Sequence, residues 1–392
     1  MQGKRKDVNG RVLRTGEGQR KNLRYDYRYT DSFGKRRSIY ANDLKELRKK
    51  EQILHQQQEA GINYAAAKIS VVELLERYIM LKQGVRYSTK VNYRFVLNLV
   101  KREEFGCRSI ASIKISDAKL WFMKLQSDGR SYSTISCIRG IVRPAFQMAC
   151  DEDVIRKNPF NFGLSGVVTN DTVRRNALTE QEQSLFMTFV KNDPHYSRYY
   201  DEFNVLLGTG MRVSELCGLT KSDLDFDNSK ICVERQLTRE KNGTYRVDTT
   251  KTASGIRFIP MCDSVKASFR RILENRVTPK SERMVDGYTG FVFLDRNGNP
   301  MVSLHVENHM KWALKKYQRT HEIPLPPITP HVFRHTFCTN MANAGMDVKS
   351  LQYIMGHSDA SVTMNVYTHT SFEHAKQSMQ RIIKFNTDEK TG

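Results

Sequence analysis

TPHVFRHTF, residues 329–337, sets two histidines four apart with an arginine between them. On a helix His331 and His335 share one face, which is half of a zinc-protease signature. The full signature needs a glutamate directly after the first histidine, and here that position is Val332. A guanidinium at Arg334 would also repel a bound cation. The flanks favour a different occupant. Thr329 is a natural N-cap, and Pro330 stands at the first helical position, where proline is preferred. Phe333, Phe337, Met341 and Ala344 make the expected core stripe, and Gly345 the stop. His331 and Arg334 then fall in the opening turns of a helix, whose free N–H groups and partial positive charge attract anions. The stretch is predicted to hold a phosphate and no metal, with His335 supporting or structural.

The rest of the chain is charged to match. Its 392 residues carry 63 Lys and Arg against 42 Asp and Glu, a net +21. Residues 1–66 hold 16 against 8, residues 67–175 hold 19 against 10, and residues 176–392 hold 28 against 24. Most of the excess, 17 of 21, therefore sits in the first 175 residues, and nucleic acid is the first candidate partner. No run of 18 apolar residues is present, so no membrane span is expected. The basic N-terminus lacks the apolar core of a signal peptide. Seven cysteines without a CxxC pair read as free buried thiols in a reducing cytoplasm.

Three segments precede or frame the phosphate stretch. In LRYDYRYT (23–30), Leu23, Tyr25, Tyr27 and Tyr29 alternate with Arg24, Asp26 and Arg28, a strand with one buried face. RRSIY (36–40) reads as the return strand, with Arg36 and Arg37, and RVLRT (11–15) as a third. A helix follows over 42–61, capped by Asn42 or Asp43, with Leu44, Leu47, Glu51 and Leu54 on one stripe and Ile53 beside them. Such a sheet can lie in a major groove, or be an ordinary hairpin with solvated arginines.

Residues 69–160 read as helical throughout: 71–84, a helix starting at Ser88–Thr89, one over 116–129 capped by Ser116, and one over 131–153 that Pro144 should kink. Lys90, Arg94, Lys101, Arg102, Arg130, Arg139 and Arg143 are phosphate contacts or a solvated basic face. Residues 163–176, ending in Arg174 and Arg175, read as a linker. Thr179 and Glu182 then form a capping box for the next helix.

LLGTGMRVSELCGL (206–219) places Arg212 just after two glycines, with Glu215 one turn later. KICVERQLT (230–238), GTYRVDTT (243–250) and IRFIP (256–260) look like a three-stranded meander, with Lys251 at its last turn. A short helix over 347–355 ends at Gly356; His357 follows, and Tyr367 comes ten residues later.

Arg212, Lys251, His331, Arg334, His357 and Tyr367, in this order, resemble the tyrosine recombinases, specifically the integrases of conjugative transposons. The family pattern is Arg, Lys, His-x-x-Arg, His or Trp, then Tyr, and every position is matched in type, order and spacing. The resemblance implies a multidomain α+β protein. It comprises a small β-sheet-plus-helix arm-binding domain (1–66), an all-α, SAM-like core-binding domain (67–162) and the linker (163–176). A mainly α catalytic domain with a small antiparallel sheet (177–370) and a tail helix (371–392) complete it. Tyr367 is implied as the nucleophile of a 3′-phosphotyrosyl intermediate, Arg212 and Arg334 as phosphate clamps, and His357 as a further donor. Lys251 is implied as general acid and His331 as acid/base, with Glu215 in support. No cofactor, metal or ATP is implied.

The implied partners are double-stranded DNA, as transposon ends, circular intermediate and target site, and further copies of the chain, two on one site and four in a synaptic complex. An accessory excision factor is also implied, and no membrane. The tail stripe of Phe372, Ala375, Met379, Ile382 and Ile383 packs on its own domain or docks on a neighbour. A type IB topoisomerase shares the chemistry, and strand exchange between two sites would separate them. A non-catalytic DNA-binding regulator would form no adduct, and a metallohydrolase would respond to chelator.

Overall fold

The computed structural model describes residues 5–30, 36–59, 69–172, 176–249, 256–357 and 359–367. The chain divides into two compact units, residues 1–173 and 174–392.

The first unit opens with a three-stranded antiparallel sheet, β1 (Glu17–Gln19), β2 (Tyr25–Thr30) and β3 (Arg36–Ala41). Its third strand is Glu17–Gln19 and not the expected 11–15 stretch, whose Val12 makes only an isolated bridge to Lys6. Tyr25 and Tyr27 are buried against α1 (Leu44–Glu59) through Leu44, Leu47 and Leu54. Leu23 departs from the predicted alternation. Its φ of 64° places it in the turn before β2, and its side chain is exposed. Ile53 is likewise exposed, whereas Glu51 is buried on the leucine stripe. Asp43 caps α1 by accepting the Lys45 amide at 3.0 Å.

A helical core follows, built from α2 (Val71–Met80), α3 (Tyr87–Arg102), α4 (Glu104–Cys107), α5 (Ile115–Ser127) and α6 (Tyr132–Asp151). α2 begins at Ser70 in a full capping box with Glu73. Two predicted starts shift. α3 begins at Tyr87, and α5 begins at Ile115, where Asp117 accepts the Lys114 amide at 2.8 Å in place of a Ser116 cap. α6 runs as one element through Pro144. The predicted linker is ordered well past residue 163. Leu164 and Val168 are buried in this core, and the Gln126 amide exchanges two bonds with the Thr169 backbone, at 2.7 and 2.9 Å. Apolar residues at 160, 164 and 168 hold the segment down, which its weak periodicity concealed.

The second unit comprises α7 (Glu180–Asn192), α8 (Tyr200–Thr209), α9 (Val213–Gly218), α10 (Asp263–Glu274), α11 (Ser303–Thr320), α12 (Pro330–Asn343), α13 (Val348–Met355) and α14 (Ala360–Tyr367). Its strands are β4 (Leu224–Asp225), β5 (Lys230–Val233), β6 (Arg235–Arg239), β7 (Tyr245–Thr249) and β8 (Arg257–Pro260). The predicted meander is in fact two sheets. β4, β5 and β8 pair in that order, and β6–β7 is a separate hairpin. The expected 230–238 strand breaks at Glu234 because Arg235 turns inward, where it donates to Asp223 at 2.6 Å and stacks on Tyr288. Gly218 lets α9 rest on the β6 backbone, since a Cβ there would lie 3.1 Å from three of its atoms.

Thr329 caps α12 by accepting the Val332 amide, with Pro330 at its start, as the sequence predicts. Phe333 and Phe337 are buried, but Ala344 is the exposed C-cap and Ala342 takes the buried place. Among the cysteines, Cys217 and Cys338 are buried while Cys107 and Cys262 are exposed, contrary to a uniform buried reading. No described helix is long and apolar enough to cross a membrane.

α8 ends at Gly210, whose φ is 62° and whose absent Cβ would lie 2.3 Å from the Phe337 ring. Gly210→Ala combines left-handed strain with overpacking, so it is expected to lower stability by roughly 2–4 kcal/mol, measured by urea unfolding of the full chain.

Candidate active site

The segment joining α8 to α9 delivers Arg212 as the N-cap residue of α9. Glu215, one turn on, accepts the Arg212 amide through Oε2 and Arg212 Nη1 through Oε1, both at 2.8 Å. Glu215 is 3% exposed, and a carboxylate so placed needs full compensation. β8 supplies it. Arg257 donates Nη2 to Oε2 at 2.8 Å and Nη1 to Oε1 at 3.2 Å. Each Glu215 oxygen thus serves both arginines. Burial alone would raise the Glu215 carboxyl, but the Arg257 bonds and charge, then Arg212, hold it below its ordinary value.

The C-terminus of α13 completes the cluster. Gly356 ends that helix at φ 61°, leaving the final carbonyls without intrahelical partners. Three arginines take three successive ones: Arg257 Nε donates to Ile354 O at 2.6 Å, Arg334 Nη2 to Met355 O, and Arg212 Nη2 to Gly356 O at 3.1 Å. Arg334 Nη1 also donates to Gly210 O at 2.7 Å. The two predicted phosphate clamps therefore differ. The Arg212 side chain is 43% exposed, whereas Arg334 is 6% exposed with its fork engaged by backbone. Burial, then the charge of Arg212, pushes the Arg334 guanidinium down to about 9, against the pull of Glu215, which leaves it charged at neutral pH.

His357 follows Gly356, with Nδ1 2.9 Å from the Thr363 hydroxyl. Burial, then Arg334, Arg212 and Arg257, lowers its imidazole to about 4. Tyr367 closes α14 and packs on the small cluster of Phe337, Cys338, Leu351 and Met355. Its hydroxyl donates to Met346 O at 2.5 Å, beyond the far end of α12. With about 1.5 Å of rise per residue, that end lies on the order of 10 Å along the helix from Arg334. Burial raises the phenol above its ordinary value.

The structure thus brings Arg212, Glu215, Arg334 and His357 together, and bonds the Tyr367 hydroxyl to the Met346 carbonyl. His331 is exposed at the start of α12, on a groove that Val213, Lys311, Lys315 and Gln318 also line. His335 packs edge-on to it with ring centroids 6.1 Å apart. Lys251 lies outside the described residues, as do Arg174 and Arg175. Among the described residues no three His, Cys, Asp or Glu side chains are grouped to hold a metal ion.

Of the remaining basic candidates, Lys90, Arg94 and Arg130 are exposed. Arg139 instead donates to Phe162 O within its own core. Arg24, Arg28 and Arg36 are exposed on one sheet face, where the 1% exposed Asp26 side chain pairs with Arg28 at 2.8 Å; Arg37 is exposed but opposite Tyr29, on the tyrosine face. Arg257 was not singled out by sequence. The available signal was its phase: Arg257 and Ile259 point inward from β8 while Phe258 points out, so an arginine occupied a core position and required a buried acid.

With its pKa near 4, His357 carries no charge from about pH 5.5 upward. An NMR titration of the DNA-free protein is expected to show its ring signals static down to that pH and a midpoint well below the ordinary histidine value.

The profile of the phage integrase family matches residues 176–374, and that of the DNA-binding domain of Tn916 integrase matches residues 1–59. The transposase from transposon Tn916 of Enterococcus faecalis is 40% identical over 403 aligned positions, covering 100% of this chain and 99% of that protein. Among solved structures, a fragment of the Tn1549 transposon integrase in complex with a circular intermediate DNA is 41% identical with a TM-score of 0.77, covering 80% of this chain and 99% of that one. A lambda integrase dimer bound to a COC′ core site shares the fold, with a TM-score of 0.56 at 18% identity, covering 91% of this chain and 95% of that one.

Proposed function

Because this chain belongs to the phage integrase family of tyrosine recombinases, we propose that it excises and integrates a conjugative transposon by breaking and rejoining DNA at the element's ends. Its substrates are the transposon ends, the circular intermediate that joins them, and the target site. The reading is carried by one observation: Arg212, Arg334 and His357, from three separate elements, converge on the C-terminus of α13, and the helix that follows carries Tyr367.

In the reaction, the Tyr367 oxygen attacks the scissile phosphorus. The phosphotyrosyl bond forms, the bond to the 5′-oxygen breaks, and that oxygen leaves with a proton supplied by Lys251. Attack by the 5′-hydroxyl of another strand reverses the step, so phosphodiester bond energy is conserved. Arg212 meets the charge that develops on the non-bridging oxygens, and Arg334 supports it from beneath. His357, neutral, offers a hydrogen bond, and His331 handles the Tyr367 proton. Before attack, the Tyr367 hydroxyl leaves the Met346 carbonyl.

The exposed arginines of the N-terminal sheet and the basic helical face hold DNA away from the cleavage point, with the sheet on the arm-type site and the helices on the core site. Dimers act on one site and tetramers in synapsis, in the cytoplasm, with an accessory factor biasing excision. The tail over 371–392, outside the described residues, docks on a neighbouring subunit.

A nicked suicide duplex carrying the element's end tests the chemistry. Wild-type protein is expected to trap as a covalent adduct, and Tyr367→Phe to bind the same duplex with no adduct; an adduct persisting in Tyr367→Phe rules that residue out as nucleophile. Deletion of residues 371–392 is expected to leave the melting temperature near wild type while reducing tetrameric DNA complexes in analytical ultracentrifugation. Unfolding of the truncated protein would place the tail within its own domain.

A further inference from the structure

We propose that Arg257 is a positioning residue for strand cleavage, acting through Glu215 and the end of α13 to aim the Arg212 guanidinium at the phosphate. Arg257 is 0% exposed, so it cannot touch DNA. It is nevertheless joined to Arg212 by two routes. One passes through Glu215, whose two oxygens each accept from both arginines. The other passes along α13, where Arg257 holds Ile354 O and Arg212 holds Gly356 O two residues on. Gly356 is shaped for this contact, since a Cβ there would lie 3.0 Å from Arg257 Nη1.

Stability alone is a poor reason to bury this group. A charge removed from water is costly, and a packed apolar side chain of similar volume is often as stabilising as a buried ion pair. What the fork adds is geometry. One planar guanidinium fixes both carboxylate oxygens and a helix carbonyl at once, which a lysine ammonium cannot reproduce. Glu215 is thereby fixed in one rotamer, and Arg212, 43% exposed, inherits its direction.

This inference rests on the reading that Arg212 engages the scissile phosphate, and a double-mutant cycle separates the two. Full-length wild type, Arg257→Lys, Arg212→Lys and the double variant are compared on the nicked duplex. The readouts are adduct rate at saturating DNA, DNA affinity by fluorescence anisotropy, and melting temperature. Arg212→Lys is expected to slow the adduct step about 100-fold or more. Arg257→Lys is expected to slow it roughly 10- to 100-fold, as a small misplacement does, with affinity little changed. The double variant is expected to be no slower than Arg212→Lys alone, because the second change acts only through the first.

Multiplying effects, or a wild-type rate in Arg257→Lys, overturn the proposal while leaving the Arg212 reading in place. A wild-type rate in Arg212→Lys overturns both. Should Arg257→Lys fail to fold, Glu215→Gln breaks the same connection from its other end; a folded Glu215→Gln that cleaves at the wild-type rate overturns the proposal.

Discussion

Three arginines share the last carbonyls of one short helix, and a single carboxylate stands among them. Like charges at such distances repel strongly in a partly dry interior. The cluster persists because Glu215 answers two of them directly and the C-terminal end of α13 answers all three with its partial negative charge. Loss of one partner from so buried a pair costs roughly 3–5 kcal/mol, so the positions of α9, β8, α12 and α13 are bound together. Their packing follows from that constraint. Gly210 clears room for Phe337 and presents its carbonyl to Arg334, and Gly356 turns the chain beneath Arg257.

Among the described residues the same arrangement leaves positive charge in excess, with three guanidinia against one carboxylate. A phosphate at Arg212 would supply the missing negative charge, while the neutral state of His357 adds no further repulsion. The Tyr367 hydroxyl is bonded elsewhere, to the Met346 carbonyl.

Much of this was legible in residue order. The cap at Thr329, the stop at Gly356 and the spacing of Arg212, His331, Arg334, His357 and Tyr367 are local or ordinal features, and local features survive without knowledge of the fold. Reading by strand periodicity did less well. It joined β6 and β7 to the sheet of β5 and β8, because nothing in the run KICVERQLT marks Arg235 as a buried partner of Asp223, twelve residues upstream. It released the chain at 163, although Leu164 and Val168 belong to a core assembled mainly from residues before them.

By itself, then, the sequence determined which side chains are available, their order, their helix caps, and a net charge of +21 that calls for a polyanion. Tertiary structure decided their exposure and their partners. Arg212 and Arg334 look alike as letters, yet one is half-exposed and the other is buried with its fork on backbone carbonyls. Arg257 looked like a strand residue and proves to anchor Glu215. Exposure, partners and pKa depend on contacts between residues far apart in the chain, 144 positions in the case of Arg212 and Gly356, and pairwise geometry across such spans is set by packing and not by neighbours in the chain.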